Sequence, residues 1–185
     1  MWADPVLRRR ADLFTAAEDW VGPAPEMTGE AAASQLVRSY LAGFGPASRA
    51  DIASYTGLPR RELGPALERL TLRVFGSEDG EKLLDVPRAA LPDPERPAPV
   101  RFLPTWDATL LVHARRARIL PEEHRPKIFH VRNPHSDAVF LVDGAVAGTW
   151  KHRDGQIELQ PFVALDRAGQ RELRAEADRL AAFHA

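Results

Sequence analysis

The chain has 185 residues, of which 44% are hydrophobic and 28% are charged, and its formal net charge is −1. This length and composition allow a hydrophobic core in one domain or in two small ones. The sequence contains no cysteine, which excludes disulfides, thiolate metal sites and thiol nucleophiles and fits the cytoplasm. It has neither an apolar run of roughly 18–20 residues nor a secretory signal at its start. We therefore expect a cytoplasmic protein without membrane contact.

Charge is distributed unevenly along the chain. Residues 1–99 hold 12 Lys or Arg against 15 Asp or Glu, whereas residues 101–153 hold nine against five. Five of the six histidines also lie in the second range. A polyanionic partner should therefore prefer the middle of the second half of the chain.

Two helices are predicted in the first half of the chain. Apolar residues recur at helical spacing between Leu36 and Phe44, and a Gly-Pro pair at Gly45 ends this helix. Ser48, with Asp51 three residues later, resembles a capping box. A short helix, RADIASYT, is therefore expected to begin at this point.

A third helix and a β-hairpin follow. The helix is predicted from four apolar residues at helical spacing, Leu63, Ala66, Leu67 and Leu70. Because proline is poorly tolerated inside a helix, Pro65 predicts that this helix begins late. The segments TLRVF and KLLDV flank the turn GSEDGE and predict a hairpin. Three helices followed by a hairpin, over residues 31–86, are the order of a winged helix-turn-helix.

Residues 87–99 contain five prolines and predict a linker or a strap without regular structure. They separate the winged helix from a C-terminal unit, residues 100–185. Residues 1–30 are expected to be a linker or the remnant of a preceding domain.

The C-terminal unit is predicted to mix strands and helices. VRFLP is strand-like and WDATLLVHA is helix-like, while AVFLV and AVAGTW flank Asp143-Gly144, a strong hairpin signal. A second turn, HRDG, leads to QIELQPF, and Asp166 is placed to cap a last helix. The expected fold class is α+β: a winged helix-turn-helix followed by a three-stranded antiparallel meander and a C-terminal helix.

Three groups of cations are candidates for contacts with DNA phosphates. They lie at the start of the third helix, after the segment WDATLLVHA, and at the tip of the last hairpin. The candidate residues are Arg60, Arg61, Arg115, Arg116, Arg118, Lys151, His152 and Arg153. A solvated surface is the alternative for each group. The acidic wing residues Glu78, Asp79 and Glu81 would repel phosphates and favour a protein-facing role for the winged helix.

Asp107 is the one acid in a largely apolar stretch, RFLPTWDATLLV. Such a carboxylate would act as a catalytic acid or base, or it would cap a helix by accepting from a backbone amide. His124, His130 and His135 lack the regular spacing of metal ligands. We therefore predict neither a metal site nor a cofactor.

Four segments carry a resemblance to a known family. SYLAGFGPASRADIASYTGL, RFLPTWDATLLVHARRARILPEEHRPKIF, VFLVDGAVAGTWK and ELQPFVALDR occur in this order. Together they closely resemble the bacterial winged-helix DNA-binding protein family that includes the crosslink-unhooking DNA glycosylases, from about Phe14 to Phe183. The resemblance implies tandem winged helices around a concave DNA channel. It also implies hydrolysis of the N-glycosidic bond of alkylated bases, without a metal.

The chain departs from this family in its length, in its missing catalytic motif and at one further position. It matches the second half of family members that are typically about twice as long, and it lacks the Gln-x-Gln or Gln-x-Asp motif of the glycosylases. Ala108 stands where many relatives have an acidic or amide residue.

Three functions remain as alternatives. The leading hypothesis is a DNA-binding module that contacts duplex or damaged DNA mainly through phosphates and acts in repair. The second hypothesis is a DNA glycosylase in which Asp107 assists catalysis. The third is a winged helix that mediates protein interaction or self-association without binding DNA.

Overall fold

A computed structural model describes residues 14–114, 117–130, 132 and 134–184. Within these ranges the protein is α+β, with antiparallel sheets and a long C-terminal helix, as the sequence predicts. No helix in the described ranges is both long enough and apolar enough to cross a membrane.

The N-terminal part contains four helices and a three-stranded sheet. The helices are α1 (Ala17–Val21), α2 (Gly29–Phe44), α3 (Arg49–Thr56) and α4 (Arg60–Glu68). The strands are β1 (Ala47–Ser48), β2 (Arg73–Gly76) and β3 (Lys82–Asp85), in the spatial order β1-β3-β2. The predicted hairpin is confirmed, since β2 pairs with β3 in antiparallel register.

The apolar stripe of α2 faces the core of this part. Thr28 caps the helix by accepting from the Ala31 amide, and Val37, Tyr40 and Leu41 are fully buried. Leu36, which the sequence placed in the same stripe, is instead 40% exposed. Helical periodicity identifies the buried face correctly but not its edge.

The two ends of α3 follow the local sequence signals. Ser48 and Asp51 form the predicted capping box, in which each side chain bonds the other residue's backbone amide. Gly57 ends the helix in the left-handed region with φ 68°, a conformation that glycine adopts without steric cost.

The start of α4 lies at Arg60 and Arg61, where the sequence placed these cations, but not late in the segment, as Pro65 indicated. The helix begins at Arg60, five residues before Pro65, so the proline lies in its interior. Pro65 lacks the amide that would donate to the carbonyl of Arg61, and Arg61 is exposed, so water can replace that bond. The cost of the proline is therefore smaller than in a buried helix.

The C-terminal part is built on a four-stranded sheet, in the order β4-β7-β8-β9. These strands are β4 (Arg101–Leu103), β7 (Val139–Val142), β8 (Ala145–Arg153) and β9 (Gln156–Pro161). The predicted meander of three strands is present as β7, β8 and β9, but the sheet has a fourth strand because β4 pairs with β7. A short hairpin, β5 (Phe129–His130) with β6 (His135–Ser136), lies apart from it.

Both hairpin turns of the meander have the backbone that their sequences predict. Asp143 and Gly144 have φ values of 49° and 74°, and Asp154 and Gly155 have values of 50° and 75°. Two successive residues with positive φ form the turn that suits the twist of paired strands.

Helices cover both faces of the four-stranded sheet. On one face lie α5 (Ala108–Leu111) and α6 (Arg125–Ile128), which contribute Leu110 and Ile128 to a core that includes Val139 and Val146. On the other face lies α7 (Arg167–His184), which begins after the predicted Asp166 cap and buries Leu173 against the sheet.

The segment after α5 contacts the N-terminal part directly. Residues 87–99 form no helix or strand, as predicted. Beyond them, Val112 packs into the same core as α2, and the Tyr40 hydroxyl donates to the Val112 carbonyl at 2.8 Å. Packing and a buried hydrogen bond therefore join the two parts of the chain.

Candidate nucleic-acid interface

A surface groove of ≈ 560 Å³ lies between α3, α4 and β3. Apolar side chains, among them Leu63 and Leu84, form its floor. Its charged lining residues are Arg49, Arg60, Lys82 and Glu81. None of the three cations makes a salt bridge within the part of the chain that the structure describes. Since Glu81 offsets one of the three cations, the charged residues around the apolar floor of the groove carry a net charge of +2.

Two helices begin at this groove. Arg49 is the first residue of α3, and Arg60 is the first residue of α4. The N-cap of α4 is Pro59, which makes no side-chain capping bond. A helix N-terminus carries partial positive charge and amides that can donate to an anion. The uncapped start of α4 therefore adds to the attraction that the cations exert on phosphate, whereas the Ser48–Asp51 capping box already occupies the start of α3.

The sequence predicted Arg60 at this place and missed Arg49 and Lys82. These three residues are far apart in the chain, so no cluster of charge is visible in the sequence. The capping box at Ser48 was the usable signal, because it fixes Arg49 as the first helical residue.

Two other predicted cations have acidic partners. Arg61 lies 3.5 Å from Glu62, with both side chains exposed. Arg118 makes an ion pair with Glu78 in the turn between β2 and β3. Arg115 and Arg116 lie outside the described residues. Of the predicted basic row, the structure therefore describes only Arg118, and the predictions for Arg115 and Arg116 stay untested.

The β8–β9 hairpin brings Lys151, His152 and Arg153 together at its tip, and all three are exposed. Because side chains alternate along a strand, Lys151 and Arg153 point to one face and His152 to the other. His152 stacks on His184, with ring centroids 4.7 Å apart. Glu158, which the sequence pattern did not place here, pairs with Lys151 in register and lies 3.5 Å from Arg153. The tip is therefore less positive than its sequence indicates.

Several segments leave the four-stranded sheet at one end. Leu103 is in register with Val139, and Val139 is in register with Thr149. Past this row, β4 runs into the turn that holds Trp106, and β8 continues to its cationic tip. The tip and this turn therefore lie at the same end of the sheet.

Asp107 occupies the predicted capping position. Its carboxylate accepts from the Thr109 amide at 2.8 Å, and the residue is the N-cap of α5. Among the described residues Asp107 makes no ion pair. The geometry fits the capping role better than acid–base chemistry.

Trp106 is a feature that the sequence pattern does not identify. Its backbone lies in the left-handed region with φ 58°, and the residue is 50% exposed. The Trp106 amide donates to the Ser136 hydroxyl at 3.4 Å, and its ring contacts Phe129 with centroids 6.3 Å apart. No pattern in the sequence predicts that a tryptophan will adopt a positive φ.

The histidines are engaged with carboxylates and aromatic rings. His124 is buried and contacts Phe162, with ring centroids 5.0 Å apart and the planes tilted by 53°, while His130 and His135 lie 2.9 and 3.6 Å from Asp137. Across the described residues, no group of three or more His, Cys, Asp or Glu is arranged to hold a metal ion.

The model of the DNA glycosylase AlkZ-like family matches residues 2–183. The chain belongs to this family. It is also similar in fold to Streptomyces sahachiroi DNA glycosylase AlkZ, with a TM-score of 0.73 and 20% sequence identity. That likeness covers 88% of this chain and 45% of the other, so the chain spans less than half the length of that protein. No curated protein sequence matches the chain.

Membership of the AlkZ-like family confirms the glycosylase family that the four sequence segments resemble. It supports a role in DNA repair and favours the glycosylase hypothesis over the leading hypothesis of a DNA-binding module.

Proposed function

We propose that this chain acts on DNA in repair, as an AlkZ-like glycosylase that binds duplex DNA through its phosphates. The observation that carries the binding proposal is the groove in which Arg49, Arg60 and Lys82 meet at the starts of two helices. Each phosphate that such a cation neutralises releases counterions and adds salt-dependent affinity. Family membership supports DNA as the polyanion.

We further propose that residues 31–86 form a winged helix, with residues 87–99 as the strap to a C-terminal subdomain. In this arrangement α4 follows α3 as the recognition helix and the β2–β3 hairpin is the wing. The element order and the antiparallel three-stranded sheet support the assignment. Arg60 would then contact DNA from the first turn of the recognition helix, with Arg49 and Lys82 on neighbouring phosphates.

The cationic β8–β9 tip is proposed as a second contact. A β-ribbon can enter a groove or lie along a backbone, and both Lys151 and Arg153 are exposed on one face of the ribbon. Because Glu158 offsets these charges, we assign the larger share of phosphate binding to the groove.

The enzymatic part of the proposal is hydrolysis of the N-glycosidic bond of an alkylated base. This reaction requires the base to leave the duplex and a group that positions water. We assign binding rather than bond cleavage to the groove, since three of its four charged lining residues are cations. Asp107 is not assigned as the catalytic base, because its carboxylate is engaged by the Thr109 amide.

Fluorescence anisotropy with a labelled duplex tests the binding proposal. The logarithm of the affinity should fall linearly with the logarithm of salt concentration between about 50 and 200 mM. The triple variant Arg49→Ala, Arg60→Ala, Lys82→Ala should flatten this slope by about 0.9 for each phosphate that it no longer neutralises. Arg96→Ala, which removes an exposed cation from the strap, is the matched control and should leave the slope unchanged. Equal slopes for the triple variant and the wild-type protein would contradict the assignment.

Release of a free base tests the enzymatic proposal separately. A duplex with one alkylated base is incubated with the protein, and the free base is separated by chromatography. We expect base release that heat-denatured protein does not produce. Duplex binding without base release would remove the enzymatic proposal and leave the binding proposal in place.

A further inference from the structure

We infer that the Trp106 ring is the stacking surface for a base that has left the DNA helix. This inference rests on the proposed function, because it requires DNA as the partner. It begins from the backbone: a residue with a Cβ atom is disfavoured at φ 58°, and a bulky residue is a genuine outlier there. Glycine or asparagine would form the same turn at less cost. The geometry of the turn therefore does not explain why a tryptophan occupies this position.

Packing does not supply that reason. The Trp106 ring has a single aromatic neighbour in the described residues, Phe129, and half of the residue remains exposed. Trp150, in contrast, packs against the core of the sheet, and its indole nitrogen donates to the Leu103 carbonyl at 3.0 Å. Trp106 instead presents its ring to solvent from a fixed position.

The surrounding structure holds this position on both sides. The Trp106 amide donates to the Ser136 hydroxyl, and the next residue, Asp107, is locked by its own cap on α5. Strained backbone conformations that the neighbours over-determine are typical of binding sites, where a group must be held in place before its partner arrives.

The immediate neighbours have the chemistry of base recognition. The guanidinium of Arg125 lies over the Phe129 ring at 5.7 Å, so an arginine and two aromatic rings are joined in one patch. Aromatic faces and guanidinium planes are the groups on which unstacked bases lie in protein complexes with single strands. An extruded base offers such a flat face, whereas a base inside an intact duplex does not.

The position of the patch supports the same partner. The turn that contains Trp106 leaves the four-stranded sheet at the end from which the β8–β9 tip projects. At about 3.3 Å per residue, Arg153 extends roughly 13 Å beyond Thr149 in the shared row. Lys151 and Arg153 are thus placed for phosphates beside a base that stacks on Trp106.

The test compares two duplexes that differ by one unpaired base. One carries 2-aminopurine as a single-nucleotide bulge, and the other is fully paired. Wild-type protein should bind the bulged duplex more tightly and quench the 2-aminopurine fluorescence. Trp106→Leu should reduce this preference about tenfold, as expected when one base–aromatic stack is removed, and should abolish the quenching. Trp106→Phe, which keeps an aromatic ring, should retain most of both.

Trp20→Leu is the matched control, since Trp20 is an equally exposed tryptophan, at 53%. It should change neither the preference nor the quenching, and no variant should change the affinity for the paired duplex. Equal binding of both duplexes by wild-type protein, or an unchanged preference in Trp106→Leu, overturns the inference while phosphate-driven binding stands. The inference is also overturned if Trp106→Leu and Trp106→Phe both lose the preference for the bulged duplex but still quench 2-aminopurine. The quenching would then not come from the Trp106 ring. Failure to bind either duplex would instead overturn the proposed function.

Discussion

The carboxylate of Asp51 accepts a hydrogen bond of 2.8 Å from the backbone amide of Ala114, 63 positions further along the chain. The same carboxylate accepts from the Ser48 amide and hydroxyl at 3.0 and 2.9 Å, and Asp51 is buried. His113 lies beside it, with its Nδ1 4.0 Å from an Asp51 oxygen and 3.0 Å from the Tyr40 hydroxyl. One side chain thus starts α3 and fixes the segment after α5 on the N-terminal part.

Replacing Asp51 with alanine should therefore cost more than the loss of a helix cap. A lost cap costs about 1 kcal/mol, and each buried donor left without a partner adds about 1–3 kcal/mol. We expect Asp51→Ala to lower the free energy of unfolding by about 2–4 kcal/mol, measured by urea denaturation. Ser48→Ala, which keeps the Ala114 bond, should cost about 1 kcal/mol. Equal losses in the two variants would show that the bond to Ala114 contributes nothing to stability.

A second pair of variants separates capping from catalysis at Asp107. Asparagine caps a helix as well as aspartate does, whereas alanine cannot. Asp107→Ala should therefore lower the free energy of unfolding by about 1 kcal/mol, and Asp107→Asn should leave it nearly unchanged. Both variants should release an alkylated base at the wild-type rate in the chromatographic assay. A strong loss of base release in Asp107→Asn, with normal stability, would return Asp107 to the mechanism.

The features that the sequence predicts correctly are local ones. The capping box at Ser48, the helix end at Gly57 and the turn at Asp143 each depend on a few neighbouring residues. The side chains or backbone preferences that form these features act between residues a few positions apart. The local sequence is therefore sufficient to predict them.

The features that the sequence does not predict are those that join distant segments. The addition of β4 to the sheet, the groove formed by Arg49 and Lys82, and the Asp51–Ala114 bond all depend on tertiary contacts. Glu158 offsets the cationic tip because of the register of β8 and β9, which composition does not reveal. Trp106 adds a backbone conformation that opposes the preference of its own residue type.

Gly148 provides a third test, because the sheet and its core approach it closely. A Cβ atom at this position would collide with the Phe140 ring and the Gln160 carbonyl oxygen. Phe140 is fully buried, so it cannot move without disturbing the packing against α7. Gly148→Ala should lower the free energy of unfolding by about 2–3 kcal/mol. Gly76→Ala, where a Cβ atom meets no atom within 4 Å, should change it by less than about 0.5 kcal/mol.

The ion pair of Arg118 with Glu78 provides a fourth test, which concerns DNA rather than stability. The two side chains are 70% and 82% exposed, so water screens the pair and its contribution to folding is small. Glu78 nevertheless neutralises a cation at the turn of the proposed wing. Glu78→Gln removes this negative charge and releases Arg118 for a phosphate.

We expect Glu78→Gln to steepen the salt dependence of duplex affinity by about 0.9, the value for one more neutralised phosphate. The free energy of unfolding should stay within about 0.5 kcal/mol of the wild-type value. Glu95→Gln is the matched control, because Glu95 makes no ion pair within the described residues and its loss changes net charge alone. Anisotropy titrations of the two variants then separate the release of an arginine from a general change in charge. If both variants steepen the slope equally, Arg118 does not contact DNA.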